Sequence, residues 1–248
     1  MIVDAHQHFW DPATADYPWM TEELRRRYGP DDLAPLLDEH GVRGTIAVQA
    51  RHSFDETQEL LALAAATPFV LGVVGWVDLT GDVAGSLDRL VGVRHQVQDE
   101  ADPSWLLRDD VQRGIAAVGE AGLVFDLLVR EPQLPAAVKV ARRNPGTKFV
   151  LDHVAKRPRD DGAWAEGVAA LAELPNVACK LSGLLTEFDP AGTAARALEW
   201  FGAERCMFGS DWPVCLLAGS YGDTLAVVGD DVNVLAGTAI RTYGLEVH

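Results

Sequence analysis

Three side chains at opposite ends of the chain are spaced for hydrolytic chemistry. His6 and His8 stand two residues apart in the segment Asp4-Ala-His-Gln-His-Phe-Trp10. On a strand, that spacing sends both imidazoles to one face. Two neutral imidazoles brought together suit a divalent metal such as zinc. Asp211 lies in Phe208-Gly-Ser-Asp-Trp-Pro213. A carboxylate there can hold a metal, accept a proton from water, or do both in turn. Taken alone, it also reads as a helix N-cap followed by Trp-Pro.

Further candidates fall between these ends. His153 closes the run Lys148-Phe-Val-Leu-Asp-His153, where it can complete a metal site or hydrogen-bond a substrate carbonyl. Strand alternation points its neighbour Asp152 the opposite way. Arg94 and His95 follow Val91-Gly-Val. An arginine facing a site offers a fork of donors to an oxyanion or carboxylate. Only one of this adjacent pair can face inward, and the sequence does not say which. Trp10, Tyr17, Trp19, Trp76 and Trp105 either stack on a sugar-like ring or pack loops. His40, His52 and His248 read as surface residues.

These side chains need a frame. Short apolar runs alternate with amphipathic stretches along the whole chain. Eight read as strands: Ile2–His8, Thr45–Gln49, Leu71–Val77, Val91–Gln96, Leu123–Val129, Lys148–His153, Val177–Ser182 and Cys206–Asp211. Several are apolar on both faces, as buried parallel strands are. Helix signals fall between them, such as Pro30 before Asp31-Asp32 with a stop at Gly41. Others are the acidic first turn at Asp55, and the runs Asp109–Gly122, Pro135–Arg143, Asp161–Leu174, Thr193–Phe201 and Asp230–Tyr243. The stretch Thr80–Leu90 is short, so its crossover helix is expected to be abbreviated. Strict alternation implies a parallel α/β sheet, either open or closed. Polar candidates gather at the C-terminal ends of several strands, where barrel active sites are built, and no glycine-rich nucleotide loop occurs. Both facts favour a TIM (β/α)8 barrel, with one domain over residues 1–248. Closure sets the last strand beside the first, and Asp211 beside His6 and His8.

The bulk properties fit. A chain of 248 residues, 48% hydrophobic and 23% charged, is an ordinary globular composition of typical barrel length. Its net charge of −16 argues against a nucleic-acid partner. Cys179, Cys206 and Cys215 form no CxxC pair, which suits a reducing cytoplasm. No basic leader follows Met1, and the apolar runs are too short for a membrane span.

The chain resembles the amidohydrolase superfamily, specifically the amidohydrolase-2 group and its sugar-lactone hydrolase branch of L-fuconolactonase-like and L-rhamnonolactonase-like proteins. The resemblance rests on Asp4–Trp10, Gly75-Trp-Val-Asp-Leu79, Gly92-Val-Arg-His95 with Gln98-Asp-Glu100, and Phe125-Asp-Leu-Leu128. Asp152-His-Val-Ala-Lys156, Lys180-Leu-Ser-Gly183 and Met207–Val214 complete it. It implies a barrel that opens a small-molecule lactone with activated water. It implies a central set of His6, His8, His153 and Asp211, catalytic and, where a metal is bound, its ligands. Arg94, His95 and Lys156 are implied at the substrate, where Trp76 is also placed. The fourth-strand lysine and fifth-strand histidine of two-metal relatives are replaced by Arg94–His95 and Asp126. The expectation is therefore one divalent metal, zinc, or a metal-independent site. A metal-dependent decarboxylase of the superfamily and a non-catalytic barrel binding a sugar acid or metal are the alternatives.

Overall fold

A computed structural model describes residues 1–247; His248, expected at the surface, lies outside the described residues. Among the described residues there are eight strands: β1 (Ile2–Gln7), β2 (Val42–Val48), β3 (Val70–Gly75), β4 (Gly92–His95), β5 (Val124–Leu127), β6 (Lys148–Leu151), β7 (Val177–Leu181) and β8 (Cys206–Phe208). Each pairs in parallel with the next in sequence. The ring closes just beyond β8, where the Asp211 N–H donates to His6 O at 2.8 Å and the His8 N–H donates to Trp212 O at 2.7 Å. The expected (β/α)8 barrel is the observed one.

The helices around it are α1 (Pro30–His40), α2 (Phe54–Ala66), α3 (Asp109–Glu120), α4 (Leu134–Arg143), α5 (Gly162–Ala172), α6 (Pro190–Phe201), α7 (Tyr221–Val228) and α8 (Thr238–Tyr243). α1 starts and stops where its sequence signals fall. Pro30 opens it, the Asp32 carboxylate accepts from the Gly29 N–H at 2.9 Å, and Gly41 ends it at φ 67°. Between β3 and β4 the crossover contains a single 3₁₀ turn, Ala84–Ser86, as its length suggests. The run expected to form one helix over Asp230–Tyr243 is divided into a π-helical turn, Asn233–Gly237, and α8. α7 was not among the expected helices, although its capping box is a sequence signature of a helix start: the Ser220 hydroxyl accepts from the Asp223 N–H and the Asp223 carboxylate accepts from the Ser220 N–H.

Two layers of apolar packing meet at the strands. The larger lies between sheet and helices. The smaller fills the barrel with Val3, Ile46, Val74, Val124, Val150, Ala178 and Met207, and α8 covers it with Ala239 and Tyr243. The interior is thus apolar toward the strand starts and polar toward their C-terminal ends. Among the described residues, no helix is long and apolar enough to cross a membrane.

Candidate active site

Each key side chain reaches the centre through a break in regular structure. β1 carries an irregularity: Asp4 pairs with Thr45 but Gln7 with Ala47, so three steps on β1 oppose two on β2. Bulges of this kind re-aim side chains. Asp4 faces outward, accepting from Ser210 Oγ at 2.6 Å and Tyr221 OH at 2.9 Å. His6, which simple alternation would place on the same face as Asp4, points into the barrel.

The second break follows β6. The strand stops at Leu151, and His153, Val154, Ala155 and Lys156 all have positive φ, between 49° and 56°. This left-handed turn costs about 1–2 kcal/mol per non-glycine residue. It persists because its surroundings fix it. The Lys156 N–H donates to His153 O at 2.8 Å, and buried Trp164 donates its Nε1–H to Val154 O at 2.7 Å. The turn corrects one expectation. Asp152 and His153 do not point to opposite faces, because alternation ends at Leu151; both side chains face the interior. The third break follows β8, where Asp211 takes φ 55°.

The result is a ring of imidazoles around one carboxylate. Asp211 Oδ1 lies 3.3 Å from His8 Nε2 and 3.6 Å from His6 Nε2. The His6 ring centroid is 5.0 Å from that of His8 and 4.6 Å from that of His153. Gly183, at φ 64°, passes so close that a Cβ there would stand 2.6 Å from His153 Nδ1 and 3.1 Å from Asp211 Oδ2. Burial alone would push the Asp211 carboxyl up, but His153, His8 and His6 outweigh it and hold the group below the ordinary carboxylate range. Asp211 is therefore an anion at neutral pH. Burial pushes His153 down to about 4, against the pull of Asp211, and it pushes His6 well below its usual value. Both are neutral at pH 7.

Beneath the ring lies a buried charge network that the sequence reading missed. Arg94 donates to Asp152 Oδ2 at 3.0 Å, to His6 Nε2 at 3.1 Å and to the Gln49 backbone carbonyl. Lys180 Nζ stands 3.2 Å from Asp152 Oδ1 and is paired with Asp126, whose other oxygen accepts from Tyr243 OH at 2.7 Å. Burial would raise Asp152, but Lys180, His6 and Arg94 overcome it and keep the group well below the usual range. Arg94 takes the His6 Nε2 lone pair, so the His6 proton sits on Nδ1, 3.4 Å from Asp152 Oδ1. The available signal was charge out of place: Lys180 within Val-Ala-Cys-Lys-Leu, and Asp126 within Val-Phe-Asp-Leu.

The residues fit a divalent cation. Ligand atoms of His6, His153 and Asp211 lie within 4.8 Å of one another. His8 donates Nδ1–H to Val48 O at 2.7 Å, a backbone contact that fixes a ligand's tautomer. Its Nε2 stands 3.3 Å from Asp211 Oδ1, so an imidazole nitrogen and a carboxylate oxygen, both ligand types that zinc takes, converge at the centre.

Above the ring an open cavity of about 480 Å³, mouth included, is lined by His8, Arg94, His153, Lys156 and Asp211, with Trp19, Gln96 and Gln98 on its walls. Burial lowers the Lys156 ammonium, against the pull of Asp211. Of the adjacent pair on β4, Arg94 faces inward. His95 does not reach the cavity. It lies flat between Trp105 and His52, with ring centroids 4.1 and 4.0 Å away. It accepts from Trp76 Nε1 at 3.1 Å and so donates Nε2–H to Glu100 at 2.7 Å. Trp76 sits just past β3 within this stack. His52 is exposed, as expected of a surface residue, and His40 is half-buried against Tyr221.

A family model for amidohydrolases matches residues 3–245. The chain belongs to the amidohydrolase family. This amidohydrolase is 42% identical to an L-fucono-1,5-lactonase of Burkholderia ambifaria, over 89% of this chain and 83% of that one. It is 40% identical to an L-fucono-1,5-lactonase of Burkholderia multivorans, over 98% and 96% respectively. That second alignment extends over 283 positions against a chain of 248 residues, so the relative carries insertions that are missing here. Among solved structures, an amidohydrolase from Burkholderia multivorans with bound zinc matches at 38% identity and a TM-score of 0.93, over 99% of this chain and all of that one.

Proposed function

We propose that this amidohydrolase opens a sugar lactone, an aldonolactone, to its sugar acid. The observation that carries the reading is the ionised Asp211 carboxylate, fixed against three imidazoles at the floor of an open cavity whose walls carry Arg94 and Lys156. The two lactonase relatives support it.

Asp211 accepts a proton from water as the water oxygen attacks the lactone carbonyl. The carbonyl oxygen becomes an oxyanion, stabilised by the donors that line the cavity, Arg94, Lys156 and His153. Collapse breaks the bond to the ring oxygen. Asp211 returns its proton to that alkoxide, which becomes a hydroxyl of the open acid. A carboxylate held below its usual pKa is a reluctant base. Most of the rate must therefore come from preorganised oxyanion stabilisation. Asp152 contributes by holding Arg94 and His6 in place. Lys156 is assigned to the substrate by its place on the wall. His95 and Trp76 contribute by shaping that wall from behind, since neither lines the cavity.

His153, Asp211 and His6, whose Nε2 would exchange the Arg94 donor for the ion, would hold zinc with His8 beside them. When bound, it supplies Lewis acidity toward the carbonyl. The three cysteines are free and buried, which supports a reducing, cytoplasmic setting. The test is acid release from a panel of aldonolactones, above the spontaneous rate, with and without chelator and beside metal analysis. Release from at least one lactone and about one zinc per chain are expected. No release from any lactone overturns the reading.

A further inference from the structure

The catalytic cavity continues sideways into a second, larger space. Trp19 and Gln96 line both. The extension is an open groove of about 1,170 Å³, solvent at its mouth included, against about 480 Å³ for the catalytic cavity on the same measure. One ring in the catalytic cavity would leave it empty.

Its walls are specific. Trp19 is 36% exposed, yet its ring is anchored by an Nε1–H bond to Ala50 O at 2.7 Å. His52 is exposed as well, and its ring is held flat on the His95–Trp105 stack, with the Gln96 N–H donating to its Nε2 at 3.0 Å. Two fixed, exposed ring faces thus border the space. Asp16, Arg51, Gln96 and Asp99 stand around them.

The rim chemistry selects the occupant. An anion would meet Asp16 and Asp99, and the one arginine already pairs with Glu59 at 3.4 Å. A purely apolar group would leave the exposed Asp16 and Asp99 carboxylates at its edge without complementary donors. A neutral ring with hydroxyls at its edge and C–H groups on its face satisfies both the flat aromatic walls and the polar rim. From this we infer that the extension is a sugar subsite, and that the enzyme's substrates include lactones glycosylated with a second sugar ring.

The inference rests on the lactonase reading, so the experiment separates the two. Acid release is followed for L-fucono-1,5-lactone, D-glucono-1,5-lactone and lactobiono-1,5-lactone. The last is the glucono ring bearing a galactosyl group. The KM for lactobionolactone is expected to be about tenfold below that for gluconolactone, equivalent to about 1.4 kcal/mol. His52→Ala should abolish the KM ratio between the two lactones, and His52→Phe, which restores a flat face, should keep it. If the single-ring lactones are hydrolysed and lactobionolactone gains nothing, the subsite is overturned and the lactonase reading stands. If no lactone is opened, both fall.

Discussion

Gly183 offers a sharp test of how the site is held. Replacing it with alanine has two consequences that can be worked out separately. The first is conformational: at φ 64° a Cβ costs about 1–2 kcal/mol. For a chain of this size, that lowers Tm by roughly 2–8 °C. The second is steric. The added methyl would sit 2.6 Å from His153 Nδ1 and 3.1 Å from Asp211 Oδ2. The imidazole has to move by several tenths of an ångström to reach ordinary contact. Its Nδ1 lies 2.9 Å from Ser182 Oγ, so that bond lengthens or breaks. Misplacement approaching 1 Å costs about 10²-fold in rate, and kcat is expected to fall by that order. Gly41→Ala is the control. Gly41 has nearly the same φ, 67°, but nothing lies within 4 Å of its would-be Cβ. It should lose similar stability and no activity. Thermal unfolding and lactone hydrolysis of both variants read the two effects apart. If Gly183→Ala retains wild-type kcat, or if Gly41→Ala loses as much activity as Gly183→Ala, the steric reasoning is wrong.

Two further outcomes are expected. Asp152→Asn removes the anion that pairs with Arg94 and Lys180 inside the barrel. Breaking a buried pair this way destabilises by about 3–5 kcal/mol, which denaturant unfolding should register together with loss of activity. Burial raises Glu56 to about 7, and its Oε2 accepts from the Ala50 and Arg51 N–H groups. Between its ordinary pKa and about 7 the folded protein binds more protons at Glu56 than the unfolded chain does, so its contribution to stability is present at low pH and lost as pH rises through 7. Glu56→Gln keeps an acceptor for both N–H groups and cannot ionise. Its Tm relative to wild type should therefore rise from pH 5 to pH 8; a flat or falling difference contradicts the assignment.

Much of the barrel was legible because its physics is local. Eight apolar runs separated by amphipathic ones correspond to β1–β8, and Gly41 and Pro30 mark the ends of α1. What sequence spacing could not reveal were the departures from alternation. Strands were expected to run through His153 and Asp211, yet β6 stops at Leu151 and β8 at Phe208. The site residues beyond them stand on backbone of positive φ, which no periodicity encodes. For the same reason Asp152 was expected to face away from the interior. The choice between Arg94 and His95 was settled only by the three-dimensional partners of each, Asp152 for one and the Trp105–His52 stack for the other. The pairing of Lys180 with Asp126 went unread, although both residues stand in the motifs, because it exists only between strands far apart in sequence.

The most direct measurement is acid release from an aldono-1,5-lactone by the wild type and by Asp211→Asn, with carbon dioxide followed in parallel. Proton transfer by a positioned group contributes about 10²–10⁴-fold. The wild type should release acid well above the spontaneous rate, and the Asn variant should be slower by a factor in that range with its fold intact. Equal turnover by the two proteins, or carbon dioxide release without lactone opening, would contradict Asp211 as the base of a lactone hydrolase.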